Sequence, residues 1–270
     1  MKVVAVANQK GGVGKTTTAV NLATAVSLCG FKTLLIDMDP QANVTSGLGS
    51  SKAGVDSGIY SAISGQKSIS DIVVQTEVEN LRLVPSGVDL VGLELELASF
   101  EYRERRLKDA LHGLDSNYQF VFLDCPPSLG LVVLNALVAA DSVLIPLQCE
   151  YYALEGLTQL IRTVEQIQKR FNSALAVEGI LFTMFDGRAN LSRQVKEEVE
   201  KHFPGQTYRT IIPRNVRLAE APGFGKPGVI YDSHCVGARA YKLLAEEFLQ
   251  NNNIRIEQAQ ESMAEPMGVI

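Results

Sequence analysis

The sequence predicts an α/β fold, a single domain whose mostly parallel, twisted sheet carries helices on both faces. Three observations support that expectation. Short β-rich runs are apolar throughout rather than alternating, as strands covered on both faces must be. Helical patterns separate these runs in regular succession. A glycine-rich loop follows the first run and opens the first helix, in a chain of 270 residues that is 46% hydrophobic and so supplies an ample core.

The elements follow in order. "VVAVAN" at 3–8 reads as the first strand. Ala19, Leu22, Ala23 and Val26 then recur at helical spacing, and Gly30 stands where a helix C-terminus favours glycine, so 15–29 reads as a helix. Further strands are expected at 33–39, 81–86, 119–125, 141–148, 178–185 and 207–213. Helices are expected at 90–114, 129–140, 153–172, 190–203 and 234–250, joined by connections of ordinary length. The domain is expected to span 1–250, with 251–270 a polar, flexible tail.

Composition removes several classes of function. No run of about 18 apolar residues is present, and Met1-Lys2 leads straight into a strand with no room for a signal peptide, so a cytoplasmic protein is expected. Cys29, Cys125, Cys149 and Cys235 are far apart, without a CxxC pair, and are expected to be small buried apolar residues rather than zinc ligands or disulfides. A net charge of −5 argues against a uniformly basic nucleic-acid binder but permits a local basic face.

The stretch "NQKGGVGKTTT" (8–18) carries the chemistry. Glycines 11, 12 and 14 let successive backbone N–H groups wrap a phosphate, and the helix that starts near Lys15 points its positive dipole end at the same anion. Lys15 is placed to bridge β- and γ-phosphates, and the Thr16 hydroxyl to ligate Mg2+. The nucleotide set is Lys10, Gly11, Gly12, Val13, Gly14, Lys15, Thr16 and Thr17. The common GxxxxGK[ST] pattern fails, because Gln9 stands where it needs glycine, and Lys10 is a second lysine. By itself Lys10 is either solvated locally or reaches a phosphate bound by another subunit. KGGVGKT resembles the deviant Walker A loop of the MinD/ParA class of phosphate-loop ATPases. That resemblance implies ATP and Mg2+, a nucleotide-sandwich dimer, and a Lys10 that touches its partner's phosphates.

"DMDPQAN" ends the second strand with Asp37 and Asp39, two residues apart. A carboxylate there can orient an attacking water and assist Mg2+. Matched to the family's motif, Asp39 positions water and Asp37 supplies a supporting hydrogen bond to the phosphate loop. "FVFLD" (120–124) delivers Asp124 to Mg2+ in the Walker B manner. No Glu follows Asp124, so hydrolysis is expected to be slow unless a partner improves it. Lys10, Lys15 and Asp39 are thus the candidate catalytic residues, and Thr16, Asp39 and Asp124 the candidate metal set. Cys125 has no neighbouring His to activate it as a nucleophile.

"LLIDMDPQANVTSGLG" (34–49), "LDCPPSLG" (123–130), "PLQCEYYALEGLTQL" (146–160) and "IIPRNVRLAEAPGFGKPGVIYD" (211–232) resemble the ParA/Soj chromosome and plasmid partitioning ATPases over nearly the whole chain to about residue 250. The chain resembles the short members, which lack an amino-terminal helix-turn-helix domain. The resemblance implies an ATP-dependent homodimer that binds double-stranded DNA without sequence preference, associates with the nucleoid, and hydrolyses ATP when stimulated by a ParB-type centromere-binding protein. Arg214, Arg217, Lys226, Arg239 and Lys242 are the candidate DNA contacts. His234, Cys235 and Val236 depart from the family pattern beside them, which weakens the basic face. Met184, Pro213 and Arg214 are the candidate adenine contacts. A MinD-like membrane ATPase needs a basic amphipathic C-terminal helix, but Arg255 is accompanied by Glu257, Glu261, Glu265 and Pro266, so no stable membrane association is expected. An iron–sulfur carrier would need Cys125 and Cys149 in a forced geometry. A nucleotide-held scaffold without turnover is the non-enzymatic reading.

Overall fold

Strand register brings the chemistry to one edge. In the computed structural model, which describes residues 1–50, 58–114 and 117–254, β1 (Lys2–Val6) pairs in parallel with Phe120–Asp124, Val6 lying opposite Asp124. The latter strand pairs in parallel with β2 (Thr33–Asp37), setting Asp124 opposite Asp37. Both carboxylates and the loop after Val6 therefore leave the sheet side by side.

The remaining strands are β3 (Val74–Gln75), β4 (Leu81–Val84), β6 (Ser142–Gln148) and β7 (Ala176–Thr183), with Phe120–Asp124 as β5. Their order is β3-β4-β2-β5-β1-β6-β7, and β3 alone runs antiparallel to its neighbour. The connection from β1 goes to β2 on one side, while that from β5 goes to β6 on the other. Such a reversal opens a crevice at the carboxyl ends of the strands, where α/β folds seat ligands.

The helices are α1 (Lys15–Leu28), α2 (Asn43–Gly47), α3 (Ile59–Ser64), α4 (Leu90–Leu97), α5 (Arg106–Leu111), α6 (Leu131–Ala139), α7 (Ala153–Arg170), α8 (Asn190–His202), α9 (Val216–Glu220), α10 (Gly228–Tyr231) and α11 (Val236–Asn251). Alternate strand residues face opposite layers. Val4, Val6, Leu35 and Phe122 pack with Leu22 of α1 and Leu244 and Phe248 of α11. Val3, Ala5, Ile36 and Leu123 pack with Leu137 of α6 and Leu160 and Val164 of α7. The expected single domain with helices on both faces is what forms.

Two expected elements differ. The helix expected over 90–114 divides into α4 and α5, because a side chain from elsewhere caps the second piece. Asn135 of α6 accepts from Leu107 N at 3.1 Å and donates to Arg103 O at 2.8 Å. The strand expected at 207–213 makes isolated bridges instead of a ladder, Thr207 to Ile180 of β7 and Pro213 to Phe185 just past its end. Between them Glu247 of α11 takes the N–H groups of Arg209 (2.7 Å) and Thr210 (2.9 Å). The cysteines divide too. Cys125 and Cys149 are buried, while Cys29 and Cys235 are half-buried, and all four are free. Cys235 caps α11, its Sγ accepting from Ala238 N at 3.3 Å. The expected tail falls almost wholly outside the described residues. Among those described, no helix is long and apolar enough to cross a membrane.

The turn after α2 packs backbone to backbone on the segment after α9. Gly225 has φ 64°, and a Cβ there would lie 2.8 Å from Gly49 Cα. Gly225→Ala is therefore expected to destabilise the fold by about 1–3 kcal/mol, through left-handed strain plus a contact that backbone cannot yield. A urea-unfolding midpoint equal to wild type would show that this contact relaxes freely.

Candidate functional site

The phosphate loop is held open from behind. Asn8 donates through Nδ2 to Pro146 O at 2.7 Å and accepts from Lys10 N at 3.0 Å, and Thr183 at the end of β7 donates to Val13 O at 2.8 Å. Gly12 and Gly14 take φ 74° and 85°, and α1 begins with no side-chain cap on its first N–H groups. A Cβ on Gly11 or Gly12 would meet nothing within 4 Å, so the concave side of the loop is free. A helix of 14 residues with uncapped donors facing a glycine loop suits an anion.

Lys15 points into this cradle. It is 7% exposed, and its Nζ donates to Lys10 O at 2.9 Å. Burial lowers its pKa from the usual lysine value, opposed by the nearby Asp124 carboxylate. Thr16 donates to Asp124 Oδ2 at 2.8 Å, which brings together two residues of the expected metal set. Asp124 is wholly buried, and its other oxygen, Oδ1, has no hydrogen-bond partner. Burial first, and the Asp37 charge second, push its pKa well above the carboxylate range. An orphaned buried acceptor beside a threonine hydroxyl fits Mg2+, which takes few protein ligands and fills its shell with phosphate and water oxygens. Among the described residues no cluster of three His, Cys, Asp or Glu side chains is close enough to hold a metal alone.

Asp39 lies beside this pair, 8% exposed, accepting from Gln41 N at 2.9 Å. Asp37 differs from expectation, since it bonds to its own following loop and not to the phosphate loop. It accepts from Thr45 N at 2.9 Å, Thr45 Oγ1 at 2.8 Å and Asp39 N at 3.2 Å, because the turn at Pro40 folds α2 back onto the strand end. Burial raises its pKa to about 6. Burial likewise raises the Cys125 thiol, far from a thiolate nucleophile.

These buried carboxylates define a pH response. Asp37 in the folded chain holds its proton above the ordinary 3.8, so its stabilising contribution is complete below about 4 and lost as pH rises through about 6. At neutral pH the buried, ionised Asp37 therefore contributes a penalty of order 1–3 kcal/mol. Burial raises the Asp124 pKa, so holding Mg2+ there would require the carboxylate to be free of its proton. Binding of nucleotide with Mg2+ is therefore expected to tighten as pH rises, by at most about tenfold per unit for each proton released, and to level off once the carboxylate is ionised. Calorimetry in two buffers of different ionisation heat checks it, and binding without proton release would contradict it.

The other expected residues are partly gathered. Met184, at φ 48°, and Pro213 line a pocket beside Gly14 and Thr17 with Asn215, Leu218, Ala219 and Tyr241. Arg214 is exposed and is not among the residues that line this pocket. The turn after Pro213 directs it outward, and Asn215, which caps α9 by accepting from Leu218 N at 3.3 Å, takes its place. Arg217 is also not free. It pairs with Glu220 at 3.0 Å and Asp232 at 3.5 Å. Lys242 reaches Ser233 O at 3.3 Å. Among the described residues Arg214, Lys226 and Arg239 form no ion pair, and all three are exposed. Lys10 turns out of the cradle and pairs with Glu150 of its own chain, both side chains standing nearly half exposed. Sequence reasoning missed Asn8, Thr183, Thr45 and Glu150. Asn8, Thr183 and Glu150 lie at or just past strand ends, which was the available signal, whereas Thr45 lies in α2.

A glycine cradle at the switch point of a parallel sheet, with a strand-end carboxylate on its threonine, defines a phosphate-loop nucleotide hydrolase. A family model described as an AAA domain matches residues 1–177. The sporulation initiation inhibitor protein Soj of Bacillus subtilis is 52% identical over 93% of this chain and 99% of its own length. The chromosome partitioning protein ParA of Myxococcus xanthus is 50% identical over 93% and 89%. A crystal structure of cobyrinic acid a,c-diamide synthase from Mycobacterium smegmatis with bound ADP and magnesium matches with TM-score 0.82 and 35% identity, over 94% of this chain and 96% of that one. The chain belongs to the ParA/Soj family of chromosome-partitioning ATPases.

Proposed function

We propose that this ATPase is a partitioning switch whose two lysines serve two different subunits. ATP with Mg2+ is held in the cradle of one chain, Lys10 of a second chain completes it, and the resulting dimer binds double-stranded DNA without sequence preference. The opposite orientation of the lysines carries this reading. Lys15 is buried with its ammonium in the loop, whereas Lys10 stands exposed at the loop's mouth on a weakly held ion pair. A single-subunit site has no use for a cation aimed outward.

Each residue then has one task. Backbone N–H groups of Gly11 to Thr17 hold the phosphates, and Lys15 neutralises the β- and γ-oxygens. Thr16 and Asp124 hold Mg2+, which when bound lends positive charge to the phosphate oxygens, and Asp39 assists from the adjoining loop. Asp39, kept accessible at the strand end by its turn, orients the attacking water. Asn8 and Thr183 fix the loop so that its donors need no rearrangement. Met184, Pro213 and Asn215 flank the base. No second carboxylate follows Asp124, so turnover is slow until a ParB-type partner improves the geometry.

DNA binding falls to Arg214, Lys226 and Arg239, which stand free, with Arg217 and Lys242 available once their partners release them. Three free cations in each of two subunits give six phosphate contacts and a slope of log affinity against log salt of about −5. Filter binding of the ATP form between about 50 and 200 mM salt measures it, and Arg239→Ala is expected to reduce the slope by about 2, one contact per subunit. A salt-independent affinity would remove DNA from the proposal.

A further inference from the structure

One stretch, 216–229, forms both a wall of the base pocket and part of the basic surface. Leu218 and Ala219 line the pocket with Thr17 and Tyr241, while Arg217 and Lys226 face outward. Leu218 locks the stretch together, since a Cβ on Gly228 would lie 2.5 Å from its Cδ2 and one on Gly237 2.6 Å from its Cδ1. Stretch 216–229 and the start of α11 therefore pack against each other through this one side chain.

A buried polar link ties this piece to the phosphate loop. Asn21 of α1 accepts from Val229 N at 2.9 Å and donates through Nδ2 to Thr17 O at 2.8 Å. It is 3% exposed, and both ends of its amide are engaged. An asparagine in the middle of a buried helix costs propensity and desolvation, and it persists where its hydrogen bonds join separate elements. Its own helix begins with Lys15 and Thr16, about one and a half turns away. Thr16, Thr17, Asn21, Lys226 and Gly228 line one small cavity, so the link lies directly between cradle and surface.

We propose that Asn21 is a positioning residue that couples the state of the phosphate loop to the stretch 216–229, and through it to Arg217 and Lys226. Only the consequence for DNA rests on the function proposed above. A change at the first turn of α1 moves Asn21 with it, and the Val229 bond carries that movement to α10. Leu218 then transmits it to α9.

Hydrogen exchange over 216–231, with and without Mg2+ and a non-hydrolysable ATP analogue, tests the coupling apart from DNA. In wild type the analogue is expected to slow exchange across this stretch. Asn21→Ala is expected to bind the analogue within about threefold of wild type while losing the slowing. Asn21→Asp, which keeps the acceptor for Val229 N, is expected to restore it. Asn21→Ser, too short to reach Val229 N, serves as the uncoupled variant should the alanine chain fail to fold. Undiminished slowing in the alanine and serine chains would overturn the proposal. So would parallel loss of analogue binding and slowing, the mark of a merely structural support. With DNA, Asn21→Ala is expected to lose about tenfold of the analogue-dependent gain in affinity. Wild type that shows the exchange effect but no gain in DNA affinity would sink the DNA reading and leave the coupling intact.

Discussion

Lys15→Ala is expected to weaken ATP binding by more than about a hundredfold and to remove detectable hydrolysis while the chain stays folded. Three physical reasons converge. The ammonium sits inside the cradle on Lys10 O, so no water can replace it without losing its position. Asp124 and Asp39 lie close enough to act on its charge, and without it the triphosphate would meet carboxylates with only Mg2+ between. A cation aimed at the transferring group in a water-poor site is worth about 3 kcal/mol. The fold itself loses little, because burial already disfavours this charge and lowers its pKa. Titration calorimetry with Mg-ATP and phosphate release at saturating ATP read the two effects separately. Tight binding by the variant would move the phosphate site elsewhere.

Lys10→Ala is expected to divide what Lys15→Ala joins, with nucleotide affinity nearly unchanged, no ATP-dependent dimer and hydrolysis lowered about a hundredfold. The side chain pairs with Glu150 outside the cradle, while the Lys10 backbone N–H and carbonyl bond to Asn8 and Lys15 within it, and alanine keeps both. Its pair with Glu150 is exposed and contributes at most about 1 kcal/mol, so releasing it does not oppose dimer formation strongly. Equilibrium fluorescence with a labelled nucleotide, together with phosphate release, separates binding from turnover. Wild-type turnover in the variant would return Lys10 to the solvated role.

Most of the fold was legible because its signals are local. An all-apolar strand that ends in Asp124 announces both its burial and its carboxylate. Long-range hydrogen bonds were not legible. Glu247 removes the ladder donors of Arg209 and Thr210 from some 40 residues away, and nothing in "TYRTIIP" records it. Asn135 similarly restarts a helix at Leu107 from α6. The site divides along the same line. Gly12, Gly14, Lys15 and Thr16 act through their own short segment, so spacing located them. Arg214 lies outside the pocket that Met184 and Pro213 line, since adjacency to Pro213 says nothing about which way the next side chain turns. Asp37 was misassigned because the Pro40 turn, rather than the phosphate loop, supplies its donors. The Arg217 partner at i+3, Glu220, was visible in sequence, whereas Asp232 was not.

The shared triphosphate is tested most directly by the mass of the Asp39→Ala chain in solution with Mg-ATP, measured by sedimentation with and without a second change, Lys10→Ala. Without its water-orienting carboxylate, the single variant is expected to hold ATP and to sediment at twice 29.3 kDa, and the double variant at 29.3 kDa with nucleotide still bound. A dimer that survives the loss of Lys10, or an ATP-loaded single variant that remains one chain, would contradict a site completed across two subunits.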